Sequence, residues 1–397
     1  MSAAQRIAII SPRYPEAGAV GGAETLLRNL AEHLVQQGRE VHFLTTCARD
    51  HHSWENTVPE GVEEKNGVQV HFFPVNESRD LETFLQVQDL ISRGAKVSRA
   101  QEEAWRDNNV NSAALEQHLR DSGADYDAIL MGPYLFGLTM TCSSIHPDRT
   151  WLVPCLHDEC FAYLSIMHDQ FATCRGILFN AAPEMELGKR LYDVDDAKCH
   201  VVGMGMEVHA SDPTVIPQRL GFGDTPYVLY SGRREGLKGT PLMLAYLETY
   251  LERTNRPLKL VLTGAGGIEP GPLLKPHIHD LGYVSEEDKH HAMAGAAAFI
   301  HPSVNESFGI VLMEAWLAGT ACLVHGLGEV LPDQCRRSNG GLWFRNYPEF
   351  ESMLNRLLDS ESLRTQLGAN GRAWVQEEYS WDAVGRRLLT ALDGAAS

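Results

Sequence analysis

Twice along this chain, short apolar runs alternate with segments of helical period, and that alternation narrows the fold more than any other feature. The first series opens with RIAIIS (6–11), a buried strand, then the Gly/Pro-rich loop PRYPEAGAVGGA (12–23). ETLLRNLAEHLVQQG (24–38) reads as a helix, because Leu26, Leu27, Leu30, Leu34 and Val35 share a face and Gly38 ends it. VHFLTT (41–46) is a strand again. Strand, helix, strand at this spacing is a βαβ unit, which calls for a parallel sheet. VQVHFFP (68–74), DAILMG (127–132) and TWLVPCL (150–156) continue the strands, and 80–120 is polar and helical.

A break rich in Gly, Pro and Asp (203–226) precedes the second series. It comprises YVLYSG (227–232), a helix at 240–252, LKLVLTG (258–264), HDLGYV (279–284), a helix at 286–295, AAFIHP (297–302), a helix from Gly309, and TACLVHG (320–326). Helices at 349–357 and 361–377 follow. The reading is an α/β chain of two doubly wound, Rossmann-like domains, 1–205 and 215–378, with the last helix (380–394) crossing back to the first. A length of 397 residues suits two cores. Ligands of open α/β sheets bind at the carboxyl ends of the strands, so two such domains are expected to face a central cleft.

Bulk properties exclude several classes. The net charge of −18 removes general nucleic-acid binding, which needs a basic surface, and leaves at most peripheral contact with an anionic membrane. The eight cysteines form no C-x-x-C pair, as expected of reduced thiols in a cytoplasmic protein. No segment reads as a signal peptide or a membrane span. The pairs His51-His52 and His290-His291 are adjacent, and no H-E-x-x-H occurs, so no metal site is expected. Asp125-Tyr126-Asp127 mimics a metal-binding D-x-D but leads into a strand, and is read as structural, as is Asp193-Val194-Asp195. TGAGG (263–267) lacks the third glycine of a dinucleotide fingerprint, since Glu269 stands there.

Two segments carry chemistry. In YSGRREGLKGTP (230–241) a strand ends at Gly232, Arg233 and Lys238 follow, and a helix starts near Thr240. Two cations beside a helix N-terminus make an anion site suited to a diphosphate, although a solvated loop would look the same. In NESFGIVLMEAWLAG (305–319) a helix apolar on all sides carries one glutamate, Glu314, with Glu306 eight residues before it. A helix of that kind is buried, and a buried carboxylate needs donors. No cation stands three or four positions away on the helix, so a pair of ligand hydroxyls, such as a ribose offers, would serve. The plainer alternative puts Glu314 on a narrow exposed stripe and Glu306 at the helix cap. The amides of Phe308, Gly309 and Ile310 open the helix and would receive a negatively charged or hydroxyl-rich ligand.

These motifs resemble glycosyltransferase family 4, which has the GT-B fold. The stretch 281–324 is similar to that family's C-terminal signature, including E-x7-E from Glu306 to Glu314. GR…KG (232–239) is similar to its diphosphate grip, and 11–41 to its Gly-Gly loop and first helix. The resemblance implies a retaining, metal-independent transfer from a nucleoside-diphosphate sugar, UDP- or GDP-linked, to a glycan, lipid-linked or small-molecule acceptor. It needs no cofactor. It implies that Glu314 binds the ribose and that Arg233 and Lys238, next to Gly232, hold the diphosphate. Glu306 with Phe308, Gly309 and Ile310 would contact the sugar, and Gly282, Tyr283 and Val284 would meet the base. Gly264 would lie near the nucleotide, and Gly22 against the phosphates or acceptor. His157, in LVPCLHDE (152–159), would hydrogen-bond a sugar hydroxyl. The family's Asn-Gly-Val-Asp segment reads GMGMEV (203–208) here, so Glu207 takes the acidic place. An inactive nucleotide-sugar-binding scaffold and a sugar-nucleotide epimerase of similar fold are the rival expectations.

Overall fold

The computed structural model describes residues 5–15 and 21–394, so residues 16–20 of the first glycine-rich loop lie outside the described residues. Strand β1 (Arg6–Ile10) is buried from Ile7 onward, and β2 (Glu40–Thr46) from Val41 onward. Strands apolar on both faces belong in a parallel sheet covered on both sides. Among the described residues the first sheet adds β3 (Gly61–Lys65), β4 (Val68–Phe73), β5 (Ala128–Met131), β6 (Thr150–Leu152), β7 (Gly176–Phe179) and β8 (Cys199–Val201). The order is β3-β4-β2-β1-β5-β6-β7-β8, parallel throughout except for β3 against β4.

Strand β3 has no counterpart among the expected strands. Its residues, GVEEK, are polar and mostly exposed, so no apolar period marks them. The available signal was the turn: Asn66 and Gly67 both have positive φ, 51° and 80°, the conformation that favours Asn-Gly in a two-residue hairpin. Strands β7 and β8 add to the expected series: β8 is the half-buried segment CHV, with no apolar run to mark it, whereas β7, GILF, is apolar and buried throughout.

The second sheet holds β9 (Tyr227–Ser231), β10 (Lys259–Thr263), β11 (Ile278–Asp280), β12 (Ala298–His301), β13 (Cys322–His325) and β14 (Gly341–Phe344). Its order is β11-β10-β9-β12-β13-β14, all parallel. Counted within the unit this is 3-2-1-4-5-6, the doubly wound arrangement, and the winding reverses between β9 and β12. The first sheet reverses in the same way between β1 and β5.

The chain divides into two compact units after Met204 and again after Ala383, so the helix Trp381–Gly394 begins with the second unit and ends with the first. Its end is held there by Arg387 Nε on the Val202 carbonyl (3.0 Å) and by Arg39 on Asp393 (2.9 Å). Each unit has its own core, with Ile10, Leu44, Met131 and Phe179 in the first and Leu262, Ile300, Leu323 and Phe344 in the second.

One contact in the second unit sets the helix that carries Glu314. Trp316 is fully buried and donates from Nε1 to the Gly340 carbonyl (2.8 Å). Helix Glu361–Glu378 lies against it through Gly368 and Gly371, where a Cβ would run into the Gly319 carbonyl and the Trp316 indole respectively. Gly368→Ala is therefore expected to destabilise the protein by about 2–3 kcal/mol, since the obstacle is backbone, and despite alanine's better helix propensity. Thermal unfolding checks this, and an unchanged or raised midpoint contradicts it.

Candidate functional site

The reversal between β9 and β12 places the loops after those strands beside each other. Gly239 makes the approach close: its φ is +72°, and a Cβ there would collide with the Pro302 carbonyl. Lys238 and Glu306, 68 residues apart, consequently meet, with Nζ donating to Oε1 at 2.7 Å. Both are largely sheltered, at 27% and 13% side-chain exposure. Arg233 is more open and lies 3.3 Å from Glu235. Helix Thr240–Thr254 starts directly after this loop and directs its N-terminal dipole toward it. Two cations and a helix N-terminus at a switch point form an anion-binding arrangement.

His301, the last residue of β12, lies beneath this pair, with Nε2 3.7 Å from Glu306 Oε1. Burial pushes its pKa down to about 4, the Glu306 carboxylate opposing and the Lys238 cation reinforcing that shift. The ring is thus neutral at pH 7. Because the unfolded chain takes up a proton near pH 6.5 and the folded protein only near 4, His301 costs stability as pH falls through that window. The expected contribution is up to about 3 kcal/mol. His301→Leu should flatten the fall in unfolding free energy between pH 6.5 and 4, and an unaltered slope would refute the assignment.

Glu314 lies on helix Ile310–Leu317, entered through Gly309 at φ +88°. Leu312 and Met313 donate to the Gly309 carbonyl, so the amides of Phe308, Gly309 and Ile310 precede the helical ladder. Leu312, Met313, Ala315, Trp316 and Leu317 are buried, whereas Ile310 and Glu314, one turn apart, share a half-open stripe. The donor that Glu314's own helix does not supply comes from another helix, so a ligand is not its first partner. Lys289, on helix Glu286–Ala294, donates to Glu314 Oε1 (2.9 Å) and also pairs with Glu286 (2.7 Å). Burial works against the Lys289 charge, but the two carboxylates outweigh it and hold its pKa above the ordinary lysine value. Glu314 Oε2 is buried with no hydrogen-bond partner among the described residues.

The remaining second-unit residues gather at the same sheet edge. Gly264, at the end of β10, has φ +100°, leaves no room for a Cβ beside the Gly232 carbonyl, and donates to the Gly282 carbonyl (2.7 Å). The loops of Gly232, Gly264 and Gly282 are thus in backbone register. Tyr283 follows them, 64% exposed, and Val284 is half-buried.

His157 and Gly22 belong to the first unit. His157 follows β6, with Nδ1 3.7 Å from Glu159, whose carboxylate accepts from Tyr134 (2.8 Å). The preceding amide, Leu156 N–H, donates to the buried Glu184 (2.6 Å). Gly22 is the first residue of helix Gly22–Gln36. Asp127 accepts from the Arg6 amide (2.7 Å) and Asp195 from the Ala197 amide (3.0 Å), structural duties for both look-alike motifs. Glu207 is exposed. Sequence reasoning missed Lys289, because its partner is on another helix and no spacing rule links them.

Residues 213–374 match the family described as glycosyl transferases group 1. Along 97% of both chains the protein is 23% identical to an uncharacterized glycosyltransferase of Methanocaldococcus jannaschii. It is 29% identical to a D-inositol 3-phosphate glycosyltransferase of Xylanimonas cellulosilytica, over 50% of this chain and 52% of that one. Its fold is similar to that of a sucrose-phosphate synthase from Thermosynechococcus elongatus, with a TM-score of 0.72, 18% identity, and 99% and 100% of the two chains covered. Together these make the chain a glycosyltransferase of the GT-B fold.

Proposed function

We propose that the protein transfers a sugar, with retention and without a metal, from a UDP- or GDP-linked donor to the hydroxyl of a carbohydrate, lipid-linked or small-molecule acceptor. The observation that carries this reading is the convergence of Lys238 and Glu306 at the winding reversal, with Glu314 on the helix that follows. Lys238, with Arg233, takes the diphosphate, and the N-terminus of helix Thr240–Thr254 adds to their field. Glu314, with one carboxylate oxygen unmet, takes the ribose hydroxyls. Glu306 and the amides of Phe308 to Ile310 orient the sugar, and Tyr283 and Val284 flank the base beside Gly264. His157 and Gly22 are assigned to the sugar and to the phosphates or acceptor respectively.

As the glycosidic bond breaks, negative charge grows on the leaving phosphate, and fixed cations there lower the barrier. The departing phosphate oxygen accepts the acceptor's proton, and the acceptor attacks the face being vacated. This scheme requires no enzymic nucleophile, and Glu306 acts as a positioning group.

The test is incubation with UDP- and GDP-sugars, with and without acceptors and with a chelator. It follows nucleoside diphosphate release and the anomeric configuration of the product. Chelator-resistant release that depends on acceptor, with the donor's anomeric configuration kept, supports the reading. Inversion or chelator sensitivity removes the corresponding part, and donor binding without turnover favours an inactive scaffold.

A further inference from the structure

Arg234 follows the exposed Arg233 but turns the opposite way, into the protein, where its side chain is only 3% exposed. Its guanidinium grips Asp280 with both terminal nitrogens, at 2.6 and 2.5 Å. The same nitrogens donate to the carbonyls of Gly264 and Gly266, each at 2.9 Å. Asp280 in turn accepts from the Gly282 amide (2.9 Å), and the Arg234 amide donates to the Ala265 carbonyl (2.9 Å). One side chain therefore ties together the loops that leave β9, β10 and β11. At one end of this tie is the loop of Arg233 and Lys238, and at the other are Gly282, Tyr283 and Val284. Gly266 is part of the fit, because a Cβ there would press on Arg234 at 3.0 Å.

We propose that Arg234, clamped by Asp280, is a positioning residue that fixes the distance between the phosphate-binding loop and the base-binding loop, and so sets how strongly the nucleoside contributes to binding. The proposal rests on the donor reading above. A planar fork reaching one carboxylate and two carbonyls at once is arginine's geometry, and lysine cannot reproduce it. An isolated ion pair needed only for folding would not require contacts from one loop to two others.

Titration calorimetry with UDP, GDP and inorganic pyrophosphate tests it, read as the ratio of nucleoside diphosphate to pyrophosphate affinity. In Arg234→Met that ratio should fall about tenfold or more, because a displacement near 1 Å suffices for such losses, while pyrophosphate affinity holds within about twofold. Preference between UDP and GDP should shrink in parallel. Asp280→Asn, at a half-exposed carboxylate, should show the same pattern more weakly, and decides the matter if Arg234→Met does not fold. Equal losses for pyrophosphate and nucleoside diphosphate, or an unchanged ratio, overturn the positioning role. A wild-type protein that binds pyrophosphate but gains nothing from either nucleoside overturns the donor reading itself.

Discussion

Lys238→Ala should lower kcat/KM for sugar transfer about a hundred- to a thousandfold, the loss typical when one preorganised group facing developing charge is removed. The phosphate leaves as an anion, and Lys238 is the more sheltered of the two loop cations, so its field is less screened than that of Arg233. In the absence of ligand this charge is already satisfied by Glu306 at 2.7 Å. A bound diphosphate must therefore draw Lys238 away from Glu306 or share it. That arrangement gives the experiment a control. Glu306→Gln relieves the competition, so it should bind free nucleoside diphosphate no more weakly than wild type while transfer falls. Lys238→Ala also leaves the Glu306 carboxylate beside a neutral imidazole, at a stability cost of about 1–3 kcal/mol that thermal unfolding will show. Assays should be run well below the lowered midpoint. Steady-state kinetics that change less than fivefold in Lys238→Ala, with the fold intact, would contradict the electrostatic role assigned to this lysine.

The legible part of this molecule was what local pattern encodes. Strands β1, β2, β9, β10, β12 and β13 were visible as mainly apolar runs, because parallel strands buried on both faces favour them. The Lys238 and Glu306 segments stood out for a similar reason: polar residues directly after such strands have few structural excuses. What stayed hidden depends on pairing at a distance. The β3 edge is polar because one side faces water, so only its Asn66-Gly67 turn announces it. Lys289 and Arg234 look like ordinary surface cations in the sequence, and their partners, Glu314 and Asp280, lie 25 and 46 residues further on. Burial of a charge is a tertiary fact. Glu314's own helix offers it no cation, and the neighbouring helix does.

The Lys289 pair changes what Glu314→Ala is expected to do. Without Lys289, removing a buried carboxylate that lacks donors would stabilise the fold or leave it unchanged. With Lys289 present, the substitution strands a mostly buried ammonium, 16% exposed. Glu286 remains as its second partner at 2.7 Å, so the loss should be about 1–2 kcal/mol and not the larger penalty of an isolated buried charge. Donor affinity should fall about ten- to a hundredfold, the equivalent of one or two hydrogen bonds to a charged group. The two effects can be separated. In Glu314→Ala/Lys289→Met the stranded cation is gone, so stability should recover most of the way to wild type, whereas donor affinity should stay low because the ribose still lacks its acceptor. Calorimetry for binding and thermal unfolding for stability measure both quantities on the same two variants. If the double variant regains affinity together with stability, Glu314 serves to neutralise Lys289, and the ribose must be held elsewhere.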